Sequence, residues 1–222
     1  MMHGAGHRKG KGRLEVICGS MFSGKTEELM RRLKRAEYAK QHVLTIKHHI
    51  DKRYEAVPTC IVSHEGRERF AFVVSDGANG LEKILQMAND VDVVGIDEVQ
   101  FFTPPIIDII CTLVTRGKRV IVAGLDLDFR GEPFGMIPLL MAISDEVLKL
   151  KAICVQCGDE AHHTQRVING QPASYDDPIV LVGAAECYEA RCRACFVIRK
   201  SPDTTSQTIG VAIKQSSMSA TG

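Results

Sequence analysis

The sequence carries almost no net charge, with 28 Lys and Arg against 27 Asp and Glu for a formal +1. That balance argues against a polyanionic or membrane-surface partner, because electrostatic steering and counterion release both need a basic field. No apolar run approaches the ~18 residues of a membrane-spanning helix. The opening stretch, Met1 to Arg13, is basic and glycine-rich and lacks the apolar segment of an export signal, so a cytoplasmic protein with no membrane partner is expected. Residues 1–12 and 201–222 have little to pack and read as a disordered leader and a disordered tail. Against these absences stand eight cysteines. A reducing compartment disfavours disulfides, so metal binding is their first explanation.

The richest stretch is Gly19-Ser20-Met21-Phe22-Ser23-Gly24-Lys25-Thr26, which follows the apolar run Leu14 to Cys18 and precedes a helical pattern. Gly, four free positions and Gly-Lys-Thr form a P-loop: the glycines let the loop curl so that backbone N–H groups face phosphate oxygens. Lys25 then serves the β- and γ-phosphates and the Thr26 hydroxyl serves Mg²⁺, at the positive end of the following helix. Motion-driving hydrolysis, transfer to a small molecule and regulated binding all start from such a loop.

Beyond it, Leu29, Leu33 and Ala36 recur at helical spacing, with Glu27, Glu28, Arg31, Arg32, Lys34 and Arg35 read as the solvated face. Strands are expected at Val43–Ile46, Cys60–Ser63, Phe70–Val74, Val91–Ile96 and Val120–Ala123, with a loop from Lys47 to Glu55. Helices are expected at Leu81–Ala88 and after Pro104-Pro105, the latter closing at Gly117. Nearly continuous apolar strands alternating with helices predict a doubly wound α/β domain over 13–149, of the P-loop NTPase type: a parallel sheet flanked by helices. Ligands then gather at the carboxyl ends of the strands, near Gly19, Asp97 and Leu125.

Asp97 and Glu98 end the most apolar of these strands, about 70 residues after the P-loop. Asp97 suits Mg²⁺ coordination, and Glu98 is placed to orient or deprotonate an attacking hydroxyl, a task worth about 10²–10⁴-fold in rate. The same pair suits a motor ATPase, where the acid activates water. A zinc-ribbon ATPase acting on nucleic acid is therefore the alternative reading.

Cys154-Val155-Gln156-Cys157 and Cys192-Arg193-Ala194-Cys195 are two CxxC knuckles, enough for a closed tetrahedral Zn²⁺ site of structural type. A redox pair, or a ligand drawn from His162-His163, remains possible on spacing alone. The 34 residues between the knuckles exceed the usual ~15–20 of a zinc ribbon. Residues 150–200 thus read as a small zinc-ribbon-like domain that holds out a long loop. Cys18, Cys60, Cys111 and Cys187 have no metal spacing and read as small packing residues.

Together, Gly19 to Thr26, Gly95-Ile96-Asp97-Glu98-Val99-Gln100-Phe101-Phe102, Leu125-Asp126, Phe129, Pro133-Phe134-Gly135 and both knuckles, in this order, closely resemble the type II, cellular-type thymidine kinases from Gly12 to about Lys200. The resemblance implies ATP-dependent 5′-phosphorylation of thymidine, and of deoxyuridine, with Mg²⁺ and one structural zinc, in a homotetramer that uses no nucleic acid. It implies that Glu98 takes the proton from the nucleoside 5′-hydroxyl, and that Asp51 and Arg53 lie near the phosphates and base, Arg53 supporting the transition state. It further implies that Met21, Gln100, Phe101, Leu125, Phe129 and Phe134 surround the base, with Thr164 at the thymine methyl. Leu181, Val182, Gly183 and Tyr188 fall in a lasso that reads the base edge through its backbone and covers the sugar. Two departures from the family pattern are Val99, and Ala184-Ala185-Glu186-Cys187 within the lasso.

Overall fold

The computed structural model describes residues 11–49, 60–62, 66–179 and 186–199. Asp51, Arg53, Leu181, Val182 and Gly183, together with nearly all of the leader and the whole tail, lie outside the described residues.

The chain runs β1 (Arg13–Gly19), α1 (Lys25–Tyr38), β2 (Val43–His48), β3 (Cys60–Val62), β4 (Glu68–Phe70), β5 (Phe72–Val74), α2 (Ala78–Met87) and β6 (Val93–Asp97). A single 3₁₀ turn at Val99–Phe101 leads to α3 (Ile106–Thr115), β7 (Arg119–Gly124), α4 (Ile137–Ile143) and β8 (Glu146–Leu150). The remainder is short strands: β9 (Ala152–Ile153), β10 (Glu160–Ala161), β11 (His163–Ile168), β12 (Gln171–Pro172) and β13 (Glu186–Arg191).

Six strands form one parallel sheet in the order β5-β2-β6-β7-β1-β8. Its inner strands β1, β2, β6 and β7 are buried on both faces, which is why they read as largely apolar runs. One face packs Val16, Val94, Ile96 and Val122 under α2, α3 and α4; the other packs Ile17, Val93, Ile121 and Ala123 under α1. Glycine at position 95 sets the second distance, since a Cβ there would lie 2.6 Å from a Leu33 methyl. Burial of a Leu33-sized side chain stabilises by roughly 1.5–3 kcal/mol.

Within the parallel-sheet part the sequence pattern predicts neither α4 nor β8, which is paired to β1 at the sheet's edge. Three expectations are corrected. Lys47 and His48 extend β2 and are buried rather than belonging to the following loop. The run Phe70–Val74 breaks at Ala71, so that β4 joins a hairpin with β3 while β5 joins the main sheet beside β2. Arg32 is not solvated but nearly buried, because Glu15 lies fully buried in β1 and needs cations. Arg32 Nη1 meets the Glu15 carboxylate at 2.6 Å and Arg119 Nε meets it at 2.6 Å, with Arg13 beside them. Burial alone would raise the Glu15 carboxyl, but these arginines outweigh it and hold its pKa below the ordinary value.

The segment after β8 forms a second module, with a β9–β10 pair and a three-stranded antiparallel sheet centred on β11. Its apolar cluster is small: Ala152, Cys154, Ala161, Ala190 and Cys192. Among the described residues no helix is long and apolar enough to cross a membrane.

Candidate active site

The P-loop forms as its residues demand. Gly19 has φ 142° at the end of β1, where a Cβ would meet the Leu150 carbonyl oxygen at 2.3 Å, so only glycine fits. Gly24 takes the left-handed conformation and starts α1, whose first turn carries Glu27 and Glu28. Ser23 Oγ donates to the Ser20 carbonyl at 2.8 Å and the Lys25 ammonium donates to the same oxygen at 2.7 Å. The lysine head thus lies against the inside of the loop, where an anion would meet it.

Across the sheet, β6 delivers its carboxylates to the same end. Thr26 Oγ1 donates to Asp97 Oδ2 at 3.1 Å, bringing the two residues with Mg²⁺-ligating chemistry into direct contact. Oxygen donors from a hydroxyl and a carboxylate beside a phosphate-binding loop are the set a hard divalent cation takes.

Glu98 is the most constrained residue of the site. It is 4% exposed and left-handed, with φ 52° and ψ 42°, a conformation that costs a non-glycine residue on the order of 1 kcal/mol or more. Its surroundings hold it there. The Glu98 N–H donates to Asp97 Oδ1 at 3.0 Å, its carbonyl accepts from Phe101 N at 3.1 Å, and its carboxylate accepts a short hydrogen bond from Gln100 Nε2. Gln100 is fixed in turn, because its Oε1 accepts from Leu125 N at 3.1 Å beyond the end of β7. A Cβ at Gly124 would strike that Oε1 at 2.3 Å, and one at Gly135 would strike the Gln100 carbonyl at 2.3 Å. The ends of β6 and β7 and the turn at Gly135 therefore aim one carboxylate.

The apolar residues named from the resemblance gather nearby. Phe101 and Phe134 meet edge to face at 5.8 Å, and they, Leu125 and Met21 are each only partly buried. Phe129 is buried on a loop tied by Asp128, whose Oδ1 accepts from Arg130 N at 2.8 Å and Glu132 N at 3.0 Å. Met21 N donates to Thr164 Oγ1 at 3.0 Å, which joins the P-loop to β11 of the second module. Met21 and Thr164 are thus paired. Tyr188 pairs with Arg166, a buried residue that sequence reasoning missed. An arginine in the polar run His163–Arg166, all four of whose residues are buried, gives no local sign of facing inward. Gln100, by contrast, was legible through the motif.

The four knuckle cysteines place their Sγ atoms within 4.8 Å of one another, and Cys157 and Cys192 Sγ are 3.6 Å apart. A ZnS₄ tetrahedron with bonds of about 2.3 Å has edges of about 3.8 Å, so the donor set fits zinc. Burial pushes the Cys154 thiol up, but backbone N–H groups of Cys192, Cys157 and Gln156 outweigh it and bring it to about 6, which favours the metal-binding thiolate. No histidine belongs to the cluster, and His163 instead stacks on Phe196 at 4.5 Å. Of the other cysteines, Cys18 packs in the core as expected and Cys60 is half-buried. Cys111 and Cys187 are exposed, because α3 and β13 turn those positions outward, and they are not packing residues. A cavity of ≈ 630 Å³ lies between Lys149, His162, His163 and Arg193, away from Glu98 and the P-loop.

Among solved structures, a DNA replication initiation factor matches at 17% identity and TM-score 0.41, over 64% of this chain and 41% of its own. The AMPPCP-bound DnaA from Aquifex aeolicus matches at 17% identity and TM-score 0.41, over 64% of this chain and 42% of its own. The flagellar accessory protein FlaH from Methanocaldococcus jannaschii matches at 12% identity and TM-score 0.44, over 68% of this chain and 76% of its own. The chain thus spans 41% and 42% of the two replication proteins. The sequence model of the thymidine kinase family, by contrast, matches residues 12–196, from the strand before the P-loop to the last zinc-knuckle cysteine. With that match added to a parallel α/β sheet, a P-loop and a four-cysteine cluster, the chain belongs to the thymidine kinase family of phosphotransferases.

Proposed function

We propose that the chain transfers the γ-phosphoryl group of ATP to the 5′-hydroxyl of thymidine, with Glu98 as general base, and that deoxyuridine is a second substrate. The observation that carries this reading is the aim of Glu98: a buried carboxylate held in a left-handed turn, one residue beyond the Asp97 that touches Thr26. A motor that only activates water has no use for the aromatic pair Phe101 and Phe134 beside that carboxylate, whereas a flat base does.

In this reading Gly19 to Thr26 hold the triphosphate of ATP. Thr26 and Asp97 would hold Mg²⁺, which would supply positive charge against the triphosphate. Glu98 accepts the 5′-hydroxyl proton as that oxygen attacks the γ-phosphorus in line, and ADP leaves with the bond electrons. Asp51 and Arg53 are assigned beside the phosphates on the family resemblance. Met21, Phe101, Leu125, Phe129, Phe134 and Thr164 enclose the thymine, with Leu181, Val182, Gly183 and Tyr188 covering it. Cys154, Cys157, Cys192 and Cys195 would hold zinc, which would serve as a structural tie. The homotetramer is carried over from the family resemblance.

The test is transfer of label from γ-labelled ATP, with Mg²⁺, across a panel of nucleosides. Label is expected on thymidine and deoxyuridine and not on purine nucleosides. A panel without thymidine-dependent transfer ends the proposal, and ATP hydrolysis stimulated by polynucleotide would move it to the nucleic-acid reading.

A further inference from the structure

We propose that Arg166 is a positioning residue for the nucleoside acceptor, an inference that rests on the thymidine-phosphorylating reading above. Arg166 is 1% exposed, in the middle of β11. A buried guanidinium is stable only where its donors are satisfied in good geometry. Here Nη1 donates to the Pro178 carbonyl at 2.5 Å, Nη2 to the Ile179 carbonyl, and Nε to the Tyr188 hydroxyl at 3.1 Å. Its cationic carbon lies 3.9 Å from the centre of the Phe129 ring and 5.5 Å from that of Tyr188.

These contacts span an unusual set of places. Pro178 and Ile179 belong to the stretch after β12, and Tyr188, on β13, is itself among the residues assigned to the nucleoside. One planar side chain therefore ties the Pro178-Ile179 stretch to the Tyr188 hydroxyl on β13. The same plane presses on Phe129, which the Asp128 turn has already placed beside the β7 end. Thr164 stands two positions earlier on β11, on the same face of the strand, and accepts from the P-loop at Met21. β11 thus bears the donor-side contact at Thr164 and the acceptor-side clamp at Arg166. Lysine cannot replace this clamp, since its ammonium is a point donor rather than a flat fork.

A residue that only stabilised the module would, when removed, weaken both substrates and the metal together. A positioning residue for the acceptor separates them. The experiment compares Arg166→Met, Arg166→Lys and Tyr188→Phe with the wild-type protein, varying thymidine at saturating ATP and then ATP at saturating thymidine. Zinc content and thermal midpoint are recorded alongside. Both arginine variants are expected to raise the thymidine KM by about tenfold or more, the effect of losing a charged hydrogen bond. The ATP KM should stay within about twofold and zinc should remain stoichiometric, because the P-loop and cysteines are untouched. Tyr188→Phe, which removes only the acceptor of Nε and keeps the ring, should raise the thymidine KM less but in the same direction. If Arg166→Met fails to fold, the other two variants decide. Thymidine and ATP KM rising in step, or neither moving in any variant, overturns the proposal. Absence of thymidine-dependent transfer in the wild-type arm would instead overturn the functional reading beneath it.

Discussion

The two modules stay folded by different means. From Arg13 to Leu150, the parallel sheet buries apolar clusters on both faces, rich in Val, Ile and Leu and closed by helices. Beyond Leu150 the corresponding cluster is three alanines and two cysteines. Side chains that small remove too little apolar surface from water to offset the entropy of ordering their strands. The first module is held by its core, whereas the second sets a cluster of small side chains beside four cysteines that could hold a metal ion. In the proposed reading, the donor's phosphates would meet the loop on the large core and the acceptor would lie against the lighter module.

The largest effect should come from removing the metal. Structural zinc contributes on the order of 10–16 kcal/mol to the folding of such sites. Chelation, or Cys154→Ser, is expected to abolish thymidine phosphorylation and to expose the second module to protease, while ATP still binds the first. Full activity after stoichiometric zinc release would erase the contrast. Next in size is Glu98→Gln, which touches neither core. Turnover should fall at least about 10²-fold with the affinity for ATP retained, as loss of a general base predicts. Unchanged turnover would pass the role to another group.

How far the sequence revealed this molecule also divides between the modules. In the first, apolar strands ending near Gly19, Asp97 and Leu125 are readable, because parallel strands covered on both faces leave no polar alternation. Arg32 was misjudged, since its reason for burial is Glu15, 17 residues away in β1. The edge strand β8 escaped notice because its exposed positions, Glu146, Val147 and Lys149, break the apolar run that marks the inner strands. In the second module the CxxC spacing predicts a metal set and the four cysteine sulfurs do lie together, but no local pattern predicts the β-structure between the knuckles. Thr164 and Arg166 matter through partners 143 positions before and 22 positions after them. Contacts at that range are set by tertiary packing, and no local pattern announces them.

A smaller effect should follow from cutting the joint between the modules. Thr164→Val keeps the shape of the side chain and removes the acceptor for Met21 N–H, leaving that donor partly buried without its partner. A loss on the order of 1 kcal/mol is expected, read as a lower thermal midpoint with zinc retained. An unchanged midpoint would mean that the modules do not lean on each other here.

The smallest effect belongs to acid, and it separates the modules most cleanly. Hydrogen bonds from Arg31, then burial acting the other way, then Arg32, set the Glu28 carboxyl at about 2, below its ordinary 4.5. A depressed carboxyl contributes stability that is complete above its unfolded pKa and is lost as pH falls through the folded one. Glu28 should therefore support the first module at neutral pH, and that support should drain away between about pH 4.5 and pH 2. Glu28→Gln should lower stability at pH 7 and make little difference near pH 2, so the two denaturation curves converge in acid. The zinc thiolates respond to acid in the opposite order, because protons compete directly with the metal. Zinc release on acid titration should then precede unfolding of the parallel sheet, giving two separate transitions. One coincident transition would show that the sheet depends on the zinc module after all.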